Sequence, residues 1–126
     1  MSNSILEHIN MTVADPDTMA ATLCDLFDWR IRWSGPSKDE AYTVHVGSES
    51  SYLALYTHKD IQAQQQSHTT LNHLNHIGIV VTDLDKIEQG VKDAGFTPFN
   101  YGDYEPGRRF YFMLDDNLEI EVIAYQ

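Results

Sequence analysis

The chain has 126 residues, 42% hydrophobic and 21% charged, which suits one soluble globular domain with a real core. Its formal charge of −11 excludes the basic face that nucleic acid or an anionic membrane requires, and no apolar run approaches the roughly 20 residues that cross a bilayer. The start, residues 1–7, has no basic segment followed by an apolar one, and the lone Cys24 suits a reduced thiol, so a cytoplasmic protein is expected.

The first element is the alternating run Glu7-His8-Ile9-Asn10-Met11-Thr12-Val13, a strand with Ile9, Met11 and Val13 on one face and His8, Asn10 and Thr12 on the other. Asp15 can cap a helix and Pro16 suits its first turn; Met19, Leu23, Leu26 and Phe27 then recur at helical spacing. Strand-like runs follow at 29–34, 41–47 and 51–57. Trp29 and Trp33 are expected between helix and sheet, with Trp33 also able to reach a ligand. The polar, Gln-rich stretch 58–72 reads as a connector with room for a few residues of helix.

The pattern then repeats. Asn75-His76-Ile77-Gly78-Ile79-Val80-Val81 matches the first run, and its histidine stands 68 positions (76 − 8) after His8. Asp83 can cap a second helix carrying Leu84, Ile87, Val91 and Ala94 and stopped at Gly95. Strands are expected at 96–101, 108–114 and 118–125, with 102–109 a mobile flap. The chain therefore reads as an α+β fold of two βαβββ modules, about 4–57 and 73–126, within one domain spanning 1–126. Ile9, Met11 and Val13, then Ile77, Ile79 and Val81, then Ile120, Val122 and Ala124 form an apolar parity for helices to cover. The opposite parity is mixed and carries His8, His76 and Glu121. No Gly-rich phosphate loop, CxxC pair or GxSxG elbow is present.

The openings Glu7-His8-Ile9-Asn10-Met11-Thr12-Val13-Ala14-Asp15 and Asn75-His76-Ile77-Gly78-Ile79-Val80-Val81-Thr82-Asp83-Leu84 resemble the paired modules of the vicinal oxygen chelate superfamily. So do the endings Tyr52-Leu53-Ala54-Leu55-Tyr56 and Asp115-Asp116-Asn117-Leu118-Glu119-Ile120-Glu121-Val122, with Asn117 where a left-handed Gly is usual. That superfamily includes glyoxalase I, extradiol dioxygenases, and fosfomycin and bleomycin resistance proteins. The resemblance implies sheets curled around a central cavity with the helices outside, and metal ligands on the first and last strand of each module. Three of those four positions are His8, His76 and Glu121; the fourth is Ala54, since 54 − 8 = 46 and 121 − 76 = 45. Ala54 argues against the four-ligand glyoxalase I activity. Two His and one carboxylate form the facial set of non-haem Fe(II) oxygenases.

The resemblance further implies a metal-dependent enzyme acting on a small oxygenated metabolite, with Fe(II) or Mn(II), extradiol dioxygenase-like chemistry being preferred to a lyase or isomerase reaction. Tyr111 aligns with a tyrosine near the substrate in extradiol enzymes, whereas the additional His of those enzymes falls near Gly102. Trp33, Tyr52, Tyr56, Arg108 and Arg109 are the expected substrate-binding residues, and a homodimer is the expected assembly. His45 can serve as a base only if it faces the site, which its parity leaves open; His58, His68 and His73 are expected to have no role. The rival is a metal-free small-molecule binding protein like the bleomycin resistance proteins, walled by Tyr42, Tyr52, Tyr56, Tyr111 and Tyr125.

Overall fold

Each half of the chain folds in the order strand, helix, three strands. The computed structural model describes residues 3–63 and 68–125, in two compact units, Met1–Ala63 and Gln64–Gln126. The first unit contains β1 (His8–Thr12), α1 (Pro16–Phe27), β2 (Arg30–Pro36), β3 (Tyr42–Gly47) and β4 (Tyr52–Thr57). The second contains β5 (Ile77–Val80), α2 (Leu84–Asp93), β6 (Phe99–Tyr104), β7 (Gly107–Asp115) and β8 (Leu118–Tyr125). Their sheets have the same topology, β1-β4-β3-β2 and β5-β8-β7-β6, with β1–β4 and β5–β8 parallel and the other pairs antiparallel.

An aspartate starts each helix. Asp15 Oδ1 accepts from Thr18 N at 3.1 Å and Asp83 Oδ1 from Lys86 N at 3.1 Å, each satisfying an otherwise orphaned amide. Helix α1 buries Met19, Ala20, Leu23 and Leu26 over β2, β3 and β4, where Val44, Val46, Leu53 and Leu55 meet it. Helix α2 lies over β7 and β8 and buries Leu84 and Val91 near Phe110, Phe112, Ile120 and Val122. The apolar parity is thus buried as expected on β5 and β8, while on β1 Ile9 remains exposed and Met11 half-buried, and Val13, just past the strand, is buried. Among the described residues no helix is long and apolar enough to cross a membrane.

Three local expectations are corrected. The sixth strand begins at Phe99 rather than Phe96, because Phe96 belongs to the helix stop. Its N–H donates to Val91 O at 3.1 Å, beside Gly95 at φ 95°, and its ring packs on Phe112. Residues 102–109 are a hairpin rather than a loop: Gly102, Asp103 and Tyr104 pair with Arg109, Arg108 and Gly107, and the Glu105–Pro106 peptide is cis. The turn before β8 needs no left-handed residue, since Asn117 is not among the positive-φ positions. The described part of the connector forms turns without helix or strand, and its residues 64–67 lie outside the described residues.

Candidate functional site

In the second unit the mixed face gathers around Glu121. Parallel pairing sets Gly78 opposite Glu121 on β8, and His76, just ahead of β5, shares that parity. The His76 Nε2 lies 3.1 Å from Glu121 Oε1, while Asn75 Oδ1 accepts from His76 Nδ1 at 2.7 Å. The other carboxylate oxygen accepts from Arg109 Nη1 at 3.1 Å. Side-chain exposure is 12% for both Glu121 and Arg109 and 33% for His76, so the carboxylate is the enclosed member and the imidazole the accessible one. Arg109 also lies over the Tyr104 ring at 4.5 Å, and its buried Nε has no hydrogen-bond partner. Antiparallel pairing places Tyr111 opposite Glu121, with its ring edge-on to His76 at 5.7 Å between centroids. Burial, then the charge of Glu121 and a hydrogen bond to it, push the Tyr111 phenol up, so at neutral pH it is a donor and not a base.

The first unit builds its mixed face from rings. Tyr52 lies opposite His8, and its ring stacks on His8 at 4.9 Å and on His45 at 4.7 Å. Trp33, opposite His45, tilts against it at 5.4 Å. Glu7 Oε1 accepts from His8 Nδ1 at 2.8 Å and from the Tyr52 hydroxyl at 3.3 Å. The His8 hydrogen bond is the main cause that holds the Glu7 carboxyl below its usual range. His45 sits opposite Ala54, so its uncertain facing is settled: it shares the face of His8, and burial pushes its imidazole down, favouring the neutral ring. The sequence carried the signal, because Gly47 pairs with Tyr52 across the turn and counting back from there puts His45 against Ala54.

The remaining expected residues divide. Tyr56 joins the His8 face of the first sheet, opposite Thr12 and Thr43. Arg108 and Arg109 point to opposite sides, and Arg108 donates to Asp85 Oδ1 at 3.0 Å beside α2, away from Glu121. Among the proposed walls, Tyr42 is turned to α1, where its hydroxyl donates to Asp17 at 2.7 Å. Two clefts of about 270 and 340 Å³ lie in the second unit, one lined by His68, Leu74, Met113 and Glu119, the other by Leu84, Tyr101, Arg108 and Phe110; Glu121 lines neither. Cys24 on α1 is free and burial pushes its thiol up, which keeps it unreactive. Within each unit, among the described residues, no three His, Cys, Asp or Glu side chains cluster to hold a metal ion. The donor set nevertheless suits one: Glu7 on His8 and Asn75 on His76 each accept from Nδ1, so Nε2 is the atom through which either ring would bind an ion, that of His76 in place of its hydrogen bond to Glu121 Oε1.

The sequence profile of the Glyoxalase/Bleomycin resistance protein/Dioxygenase superfamily matches residues 7–112. The chain belongs to that superfamily. Solved structures agree on the fold. A glyoxylase/bleomycin resistance protein/dioxygenase domain from Frankia sp. EAN1pec is 22% identical with a TM-score of 0.82, over 99% of this chain and 100% of that one. The genomically encoded fosfomycin resistance protein FosX from Listeria monocytogenes is 18% identical with a TM-score of 0.75, over 100% of this chain and 96% of that one. A FosX mutant complexed with Mn(II) and 1S,2S-dihydroxypropylphosphonic acid is 20% identical with a TM-score of 0.74, over 100% and 95%. No curated protein sequence gives a significant match.

Proposed function

We propose that this chain is a metal-dependent enzyme acting on a small oxygenated metabolite, with His8, His76 and Glu121 as ligands of one divalent ion, Fe(II) or Mn(II). The observation that carries this reading is the matched anchoring of the two imidazoles, each held through Nδ1 by the residue just before it at the same place in the repeat. An imidazole that donates through Nδ1 to a carboxyl or amide oxygen is the usual outer-shell arrangement of a metal-bound histidine. Glu121 Oε1 accepts from His76 Nε2 at 3.1 Å, so these two atoms already sit where a cation would take the place of the proton they share. Two imidazoles and a carboxylate suit Fe(II) or Mn(II), and Mn(II) is the ion bound by the FosX mutant. Such an ion supplies a Lewis acid and a template with open positions for substrate oxygens.

The chain's own residues do the rest. Arg109 fixes the Glu121 carboxylate, and Tyr111, kept as a phenol, would turn its one O–H from Glu121 to the substrate and orient it. Trp33, Tyr52 and Tyr56 supply binding walls, while Arg108, paired with Asp85, is left out. Extradiol-type ring cleavage is the specific chemistry we favour, supported by a three-ligand set with Ala54 in the fourth place; a lyase or isomerase reaction is second. The proposed setting is a cytoplasmic homodimer, which sedimentation of the purified chain tests.

One observation favours the rival reading of a metal-free binding protein: Arg109 takes the second oxygen of Glu121, so this carboxylate is already neutralised. Metal analysis of tagless protein after anaerobic reconstitution separates the two. The enzyme reading expects near-stoichiometric iron or manganese that is lost in His76→Ala; protein that retains no metal supports the binder.

A further inference from the structure

The irregularity in β2 has a chemical consequence. Arg30 and Ile31 pair with Gly47 and Val46, pairing resumes with Trp33 opposite His45, and Arg32 is passed over. Successive side chains of a regular strand point to opposite faces. The extra residue of this bulge instead lets Arg32 and Trp33, neighbours in sequence, reach the same face: Arg32 Cζ lies 4.4 Å from the Tyr52 ring centre, and Trp33 packs on His45. Gly35 makes room for this, since a Cβ there would meet the Trp33 ring at 2.9 Å.

Arg32 also differs from the other arginines in how its charge is met. Arg30 pairs with Glu49, Arg108 with Asp85 and Arg109 with Glu121. Among the described residues, Arg32 has only one long hydrogen bond, from Nη1 to Ser48 O at 3.4 Å, and the face of Tyr52. Glu7 feels its charge but is engaged by His8 and Tyr52. In a chain with 19 acidic and 8 basic residues, carboxylates are plentiful, so an arginine without one stands out. A guanidinium has five N–H donors in a fork that fits a carboxylate, and most of those of Arg32 remain to be used. Beside it the Trp33 indole is 50% exposed, a flat apolar surface of the kind an aromatic ring stacks on.

We propose that Arg32 and Trp33, brought side by side by the β2 bulge and backed by Tyr52 and His45, form a subsite for an aryl carboxylate. The ring stacks on Trp33 and the carboxylate takes the free edge of Arg32. This assignment stands on the first unit alone, goes beyond the metal reading and does not depend on it.

The test is a titration of the full-length protein, stripped of metal with EDTA, with benzoate, benzamide and cyclohexanecarboxylate, monitored by NMR at the Trp33 indole N–H and the His45 ring. Benzoate should shift both signals saturably and bind at least about fivefold more tightly than the other two, since each lacks the charge or the aromatic ring. Arg32→Gln should weaken benzoate at least about tenfold, Arg32→Lys less, and Arg30→Gln not at all. The assignment is overturned if benzoate leaves the Trp33 signal unmoved, if cyclohexanecarboxylate binds equally well, or if folded Arg32→Gln binds like the wild type. Because metal is absent throughout, none of these outcomes bears on the His8, His76 and Glu121 ligand set.

Discussion

Glu121 and Arg109 illustrate how a nearly enclosed charge constrains its neighbours. Both are 12% exposed, so removing one leaves the other unpaired in a poor solvent for ions. Arg109→Met should therefore cost about 3 kcal/mol in urea unfolding, and adding Glu121→Gln should recover most of it, because both charges then leave together. Double-mutant stability no better than the single would refute this account. His45 gives a pH signature of known sign. Burial lowers its folded value below the ordinary 6.5, so the unfolded chain binds the proton first on acidification. The associated stability is whole above pH 6.5 and is lost as pH falls through the folded value. The slope of the urea midpoint between pH 7 and pH 5 should be shallower in His45→Gln; equal slopes count against it. At this scale the sequence was legible where parity decided the facing. His8, His76 and Glu121 could be placed on one parity, but the partnership of Glu121 with Arg109 depends on the β7–β8 register, which alternation does not reveal.

The elements were readable because their stops and starts are chemical. Aspartate caps, Pro16 at the first turn of α1 and Gly95 after α2 mark boundaries that hold in three dimensions. Phe96 misled because an apolar residue before a strand looks like its beginning, although here it closes a helix. The run 102–109 misled because Gly and Pro suggest a loop while the flanking residues pair as a hairpin. The close approach of strands explains one glycine there. A Cβ on Gly107 would collide with the carbonyl oxygen of Ala124, which is backbone and cannot swing aside. Gly107→Ala should thus lower stability by about 2 kcal/mol, with the loss of protection in hydrogen exchange concentrated at the β7–β8 pairing. A neutral substitution would show that the strands can separate at no cost.

At the scale of the whole molecule the repeat is the main fact, and it was visible in sequence because both modules keep the same opening and the same cap. The bulge in β2 was not visible, since one skipped residue leaves no mark on composition. Charge also acts globally: at −11 the chain repels itself, and added salt screens this. Raising sodium chloride from about 0.05 to 0.5 M should move the urea midpoint upward; a fall would mean that the surface ion pairs outweigh the repulsion.

The two copies part at two linked places. The registers make Ala54 the counterpart of Glu121 and Thr43 the counterpart of Arg109, and Thr43 Oγ1 and Arg109 Nε are both buried atoms without a hydrogen-bond partner. One copy thus has an acid with its matching base, and the other has neither. An acid introduced at position 54 by itself would be a stranded anion in a buried place, so a fourth ligand could be built into this scaffold only through a coordinated pair of replacements. The mixed face of the second unit is thus built around a charged pair, and that of the first around stacked rings.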